Sequence, residues 1–172
     1  MMPIPSRFNL RVKIESLTLF FLISKTQTLE GITSLQSDNK HIVMWDLENC
    51  TLKKIKKTLK EIQNIYNLSN IFIVTDNDTT YRAWCFSKVD FDVYLHILVD
   101  CLPILDYNFF YYTVMRKKAT LRTSSKKGRP KQRLACVLPS YVCPFEPDKI
   151  VERVVYDTGL EKRGISLLIG EK

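Results

Sequence analysis

Asp46 and Glu48 stand one residue apart directly after the apolar run Ile42 to Trp45, in HIVMWDLENC over residues 41–50. On a strand, residues i and i+2 point to the same face, so both carboxylates are expected side by side at the strand's carboxyl end. Open α/β sheets place their ligands at that end. Two carboxylates so close repel each other unless a cation lies between them. Mg²⁺ takes carboxylate oxygens together with substrate phosphates, so metal-assisted phosphate chemistry is one expectation. The plainer alternative is that Glu48 already belongs to the loop and caps the next helix, with Asp46 marking a strand end.

A second stretch carries the complementary charge. Residues 116–133, RKKATLRTSSKKGRPKQR, hold nine Lys and Arg and no acidic residue, whereas the whole chain has a formal net charge of +8. Without this segment the remainder carries −1, so the basic excess is local. Thr123, Ser124 and Ser125 add short hydroxyl donors among the cations, a mixture suited to phosphate oxygens. A solvated basic hairpin is the other reading.

These residues need elements to hold them. Ile42 to Trp45 reads as a buried strand. Thr51 to Asn67 reads as a helix, because Ile55, Leu59, Ile62 and Tyr66 recur at helical spacing behind a cap at Asn49 or Thr51. Five lysines between Lys53 and Lys60 cover its other side. Ile71 to Val74 is a second buried strand, and strand, helix and strand at this spacing favour a parallel βαβ unit. A second helix fits Asp90 to Leu102 and ends at Pro103. Beyond it the pattern turns β, over Phe109–Met115, Ala119–Thr123, Gln132–Leu138, Val154–Tyr156 and Ile165–Ile169. Earlier, RFNLRVKIESLTLFFLIS suggests one or two strands, and Thr26 to Lys40 reads as polar loop. The expected fold class is α/β (α+β), a βαβ unit followed by a mixed or antiparallel sheet. Residues 1–40 are expected to form an N-terminal strand and loop extension and 41–172 one domain.

Composition agrees with a folded, nucleic-acid-facing domain. Of the 172 residues 45% are hydrophobic, enough for an ordinary core. The basic balance suits a polyanion. Five cysteines, an odd number with no CxxC pair, make a disulfide framework or zinc site the weaker expectation and an intracellular, reducing compartment the simpler one. The apolar run Leu19 to Ile23 is far short of the roughly 20 residues that span a bilayer, so no membrane partner is expected.

Taken in order, MWDLEN, then a helix, then IFIVTDNDTTYRAWCF, then ILDYNFF, then TLRTSSKKGR, the sequence over residues 41–133 resembles the archaeo-eukaryotic primase superfamily, in particular its primase-polymerase branch. The resemblance implies an RRM-like primase catalytic core and a template-dependent nucleotidyltransferase. It implies that Asp46, Glu48 and Asp106 hold two Mg²⁺ or Mn²⁺ ions and are the catalytic carboxylates. It also implies that Arg82, Arg122, Ser124, Ser125, Lys126 and Arg129 contact nucleoside triphosphate or DNA. Two such ions would clamp the attacking and leaving oxygens of the transfer.

The sequence departs from that pattern at two places. Near the basic segment the family often has Arg before Leu, whereas here Leu121 precedes Arg122. Arg82 stands where the family has a His, and an Arg can bind a triphosphate bidentately but cannot donate a proton at neutral pH. Arg82 could equally be a surface residue beside a core strand, and Asp106 could simply cap the segment after Pro103. Two further functions stay open. A metal-dependent nuclease of the PIN or NYN kind would join Asp46 to Asp76 or Asp78. A non-catalytic relative would bind nucleic acid only. Tyr107, Tyr111 and Tyr112 precede the basic run and could stack on bases or pack in the sheet.

Overall fold

The computed structural model describes residues 7–14, 17–24, 28–124, 130–141 and 153–157. The chain divides into two compact units, Met1–Leu29 with Tyr156–Lys172, and Glu30–Val155. Within the first, β1 (Arg7–Ile14) and β2 (Leu17–Ser24) form an antiparallel hairpin in register from Arg7↔Ser24 to Ile14↔Leu17.

The second unit begins in β3 (Thr28–Thr33), which lies inside the segment expected to be loop. Its TLEGIT sequence alternates enough to pair once a partner strand is available. Then come β4 (His41–Leu47), α1 (Leu52–Ile65), β5 (Ile71–Thr75), β6 (Tyr81–Val89), α2 (Phe91–Asp100), α3 (Tyr107–Arg116), β7 (Thr120–Arg122), β8 (Arg133–Leu138) and β9 (Arg153–Asp157). Three strands form a sheet in the order β7-β3-β9 and four in the order β4-β6-β5-β8. The fold is thus mixed α+β, with antiparallel pairing throughout β4-β6-β5-β8.

Strand, helix and strand do follow one another from β4 to β5, and both strands run the same way. They are not neighbours, because β6 lies between them, antiparallel to each. The reason is local. Thr75 to Tyr81 forms a tight turn in which the Thr75 hydroxyl accepts from the Asp78 amide at 2.9 Å and the Asn77 carboxamide accepts from Thr80 N at 3.0 Å. Asp78 takes φ 58°, the left-handed region that Asp tolerates in turns. A hairpin this short returns β6 directly along β5. Val43, Met44 and Trp45 on β4 have no exposed surface, so that strand is covered on both faces.

Helix α1 is set by sequence as expected. The Thr51 hydroxyl caps it by accepting from Lys54 N. Ile55, Leu59 and Ile62 enter the core, and the helix ends where Asn67 turns left-handed at φ 51° and Leu68 N donates back to Gln63 O at 2.9 Å. Gln63 is buried as well, its carboxamide N–H groups donating to Ser69 O and Leu138 O, which ties α1 to the entry of β5 and the end of β8. On α2, the buried Tyr94 hydroxyl donates to Met44 O at 2.9 Å and joins that helix to β4.

Phe109–Met115 is helical, not a strand. Asp106 caps α3, its Oδ1 accepting from the amides of Asn108 and Phe109. Phe109 and Phe110 pack against the core with buried Thr113 one turn on. The stretch is rich in aromatic and β-branched residues, which favour strands, but the cap and the i, i+4 burial prevail over that preference. The expected strand over Ile165–Ile169 lies outside the described residues. Among the described residues no helix is long and apolar enough to cross a membrane.

Candidate active site

Of the charged side chains named above, Asp46, Asp76, Arg82, Asp106 and Arg122 gather at one end of the four-stranded sheet. Asp46 is the sixth residue of β4 and pairs with Arg82 on β6. Arg82 in turn pairs with Val74 on β5, two residues before Asp76. Residues opposite one another across strands share a face, as do i and i+2 along one strand. Asp46, Arg82 and Asp76 therefore converge on one side of the sheet end.

The other flank of β4 is occupied by the residues that follow α2. Leu47 bridges Leu105 in antiparallel fashion, Glu48 N donates to Ile104 O at 3.2 Å, and Asp106 N donates to Asp46 O at 2.8 Å. This pattern sets Asp106 directly across from Asp46. A row results, Arg82, Asp46, Asp106, running over three adjacent chain segments. Glu48 lies one residue past the strand, exposed, before Asn49 turns left-handed.

The charges alternate. Arg82 is buried, with Nε 3.8 Å from Asp46 Oδ1 and Nη1 3.8 Å from Asp76 Oδ2. Arg122, at the end of β7 in the other sheet, brings Nη2 to 3.4 Å from the same Asp76 oxygen. Asp76 is the hub: its side chain is 1% exposed and its Oδ1 accepts from the Thr80 hydroxyl at 3.0 Å. At 3.8 Å the contacts of Arg82 are ion pairs rather than formed hydrogen bonds. Arg82 is thus a buried site-facing group, not a surface residue beside a core strand.

Burial is the largest influence on Asp46 and pushes its carboxyl up to about 6. The neighbouring charges of Asp106 and Glu48 push the same way, while Arg82 and Arg122 oppose them. A carboxyl so placed gains most from an added cation.

The residues present fit a divalent ion in part. Asp46 and Asp106 supply two opposed carboxylates, the number Mg²⁺ commonly takes when substrate phosphates complete its shell. Glu48 is near enough for its charge to be felt at Asp46. Among the described residues no three His, Cys, Asp or Glu side chains are gathered closely enough to hold an ion by themselves. Any metal here would rely on ligand oxygens from the substrate.

The remaining expected contacts are distributed as follows. The Ser124 hydroxyl accepts from Glu30 N at 2.9 Å and lies 3.3 Å from Glu30 O, so it ties β7 to β3. Ser125, Lys126 and Arg129 lie outside the described residues. Asp78 is exposed and paired with Arg133. The Cys50 thiol, pushed up by burial against the opposing charge of Lys54, donates to Ile104 O at 3.9 Å. In the sequence Asp76 stands out only as a ligand of the nuclease alternative. The signal for its actual place is that two arginines, 82 and 122, each required a counter-charge.

The chain matches no protein-family model, no curated protein and no solved structure.

Proposed function

We propose that this chain is a template-dependent nucleotidyltransferase of the primase-polymerase kind, acting on nucleoside triphosphates and DNA with Mg²⁺ or Mn²⁺. One observation carries the reading: Asp106 stands across from Asp46, with Arg82 on the other side of Asp46. Two residues far apart in sequence, each expected to bind metal, are adjacent in space. In this reading Asp46 and Asp106 hold the ion that bridges to the phosphates, Glu48 adds charge, and Arg82 and Arg122 grip the triphosphate. The protein contributes position and charge rather than covalent chemistry. The RRM-like core belongs to the same proposal. It is supported by the split arrangement in which β6 lies between β4 and β5, and by the segment after α2 lying along the free edge of β4.

The nuclease alternative requires Asp76 or Asp78 beside Asp46. Arg82 separates Asp76 from Asp46, and Asp78 is engaged by Arg133. A non-catalytic nucleic-acid binder is the stronger second reading. What favours it is Arg82, which already gives Asp46 a permanent counter-charge where a metal would otherwise supply one.

The test is incorporation of labelled nucleotide into a primed DNA template with Mn²⁺, run beside a nuclease assay on the same substrate. Incorporation that disappears in Asp46→Ala supports the transferase. Incorporation unchanged in that variant, or its absence from the wild-type protein, removes it; strand cleavage in place of extension selects the nuclease.

A further inference from the structure

Helix α3 turns its aromatic side outward. Tyr107 is 71% exposed, Tyr111 48% and Tyr112 51%, and Met115 is 65% exposed. A helix that packs on a core normally presents polar residues to water. Here Phe109, Phe110 and Thr113 make the inner face, and the outer face still carries three tyrosines and a methionine. Tyr107, Tyr111 and Met115 follow one another at i, i+4 along one line, and neighbouring residues of such a line meet on the helix surface. Tyr112 lies beside that line, its ring centroid 5.4 Å from that of Tyr111 in an edge-on arrangement. The guanidinium of Arg116 covers the Tyr112 ring at 5.0 Å. Contiguous exposed apolar surface of this kind marks a binding face.

Charge identifies the occupant. Arg116, Lys117 and Lys118 close the helix, and no acidic residue occurs from Tyr107 until Glu146. A surface that combines tyrosine rings with concentrated positive charge suits a polyanion that also offers flat apolar faces. Duplex DNA hides its base faces; a single strand exposes them. Tyr107 and Tyr111 are one turn apart, about 6 Å along the axis. That is close to two nucleotide steps at about 3.4 Å each. The helix starts at Tyr107, directly after its cap Asp106, so the line of rings leads away from the carboxylate pair.

We propose that the outer face of α3, with Lys117 and Lys118, is a stacking platform for single-stranded nucleic acid. The bases stack on Tyr107, Tyr111 and Tyr112, and the backbone phosphates lie against Arg116, Lys117 and Lys118. This platform does not depend on nucleotide transfer, and a non-catalytic binder would use it equally.

The experiment measures binding of the full chain to a fluorescent oligothymidylate of about 15 nucleotides and to a duplex of equal length, by anisotropy over a range of salt. The double substitution Tyr111→Ala, Tyr112→Ala should weaken single-strand binding about tenfold or more, with much less effect on the duplex. Tyr111→Phe with Tyr112→Phe should retain the wild-type affinity, because the rings remain. Arg116→Ala should lower the salt slope by about one. Circular dichroism checks that each variant is folded, and the Phe pair and Arg116→Ala supply the decision should the Ala pair fail to fold. Equal loss on both substrates, an unchanged single-strand affinity in the Ala pair, or a Phe pair as weak as the Ala pair would overturn the proposal. So would a wild-type chain that ignores the oligonucleotide while binding anionic vesicles, which would assign the face to a membrane surface.

Discussion

Asp106 lies directly across from Asp46, its amide donating to the Asp46 carbonyl at 2.8 Å. The two residues therefore stand side by side at the mouth of the sheet, and the charge of Asp106 raises the cost of ionising Asp46. Burial adds to that cost at Asp46, whose carboxyl is pushed up to about 6.

The first prediction concerns the metal-free protein. A carboxyl that ionises near 6 when folded and at about 3.9 when unfolded keeps its proton longer in the folded chain. Stability must then fall as pH rises through that window and stay lowered above it. Asp46→Asn cannot ionise and escapes the loss, while Arg82 keeps Asp76 as a partner. In chelator, melts at about pH 4 should give the variant little advantage, and melts at about pH 7.5 should show it more stable by up to about 3 kcal/mol. A variant no more stable than wild type at the higher pH would mean that Asp46 is better solvated than its surroundings indicate.

A second prediction adds the ion. If Asp46 and Asp106 bind Mn²⁺, the metal should raise the melting temperature at about pH 8 and do so far less at about pH 5, where protons compete for the same oxygens. Asp46→Asn should remove the shift. Asp106→Asn is the more informative variant, because Asp106 also caps α3 and Asn caps nearly as well as Asp. It should leave the metal-free melt within about 1 kcal/mol of wild type while abolishing most of the Mn²⁺ shift. A shift that survives in Asp106→Asn would place the ion elsewhere.

The reach of the sequence follows from which signals are local. Helix α1 could be read almost residue by residue, since Thr51, Ile55, Leu59 and Ile62 carry both its cap and its buried stripe. Strands β4 and β5 announced themselves as short apolar runs. Their pairing did not, because the position of β6 depends on the turn at Asp76 to Thr80 and on which strand fills the remaining slot. Helix α3 was hidden by its own outer face: tyrosines at positions where polar residues would normally mark the solvent side erased the helical period. Its cap at Asp106 and the Phe109–Thr113 spacing were the available clues. The Asp46–Asp106 opposition was expected only through family resemblance. No spacing rule joins residues sixty positions apart, whereas the antiparallel bridge at Leu47 and Leu105 does so directly. The role of Asp76 needed the third dimension altogether.

That role leads to the last prediction. Asp76 is almost wholly buried and stands between two guanidiniums, Arg82 at 3.8 Å and Arg122 at 3.4 Å. Removing one member of a buried ionic group leaves the other charges uncompensated, and such losses are typically about 3–5 kcal/mol. Asp76→Asn keeps the shape and an acceptor for the Thr80 hydroxyl but removes the charge. It should therefore lower stability by about 3 kcal/mol, a larger effect than any single substitution on the exposed lysine face of α1. The same change leaves two arginines facing the site with one carboxylate fewer to hold them. Inorganic pyrophosphate, which can take up that charge, should raise the melting temperature of Asp76→Asn more than that of wild type, since a ligand stabilises in proportion to its occupancy of the folded state. Thermal melts of both proteins with and without pyrophosphate make the comparison. Equal stability of the two proteins without ligand would deny Asp76 its place as hub. Equal pyrophosphate shifts would mean that Arg82 and Arg122 spend their charge inside the protein and do not meet the phosphates of a substrate.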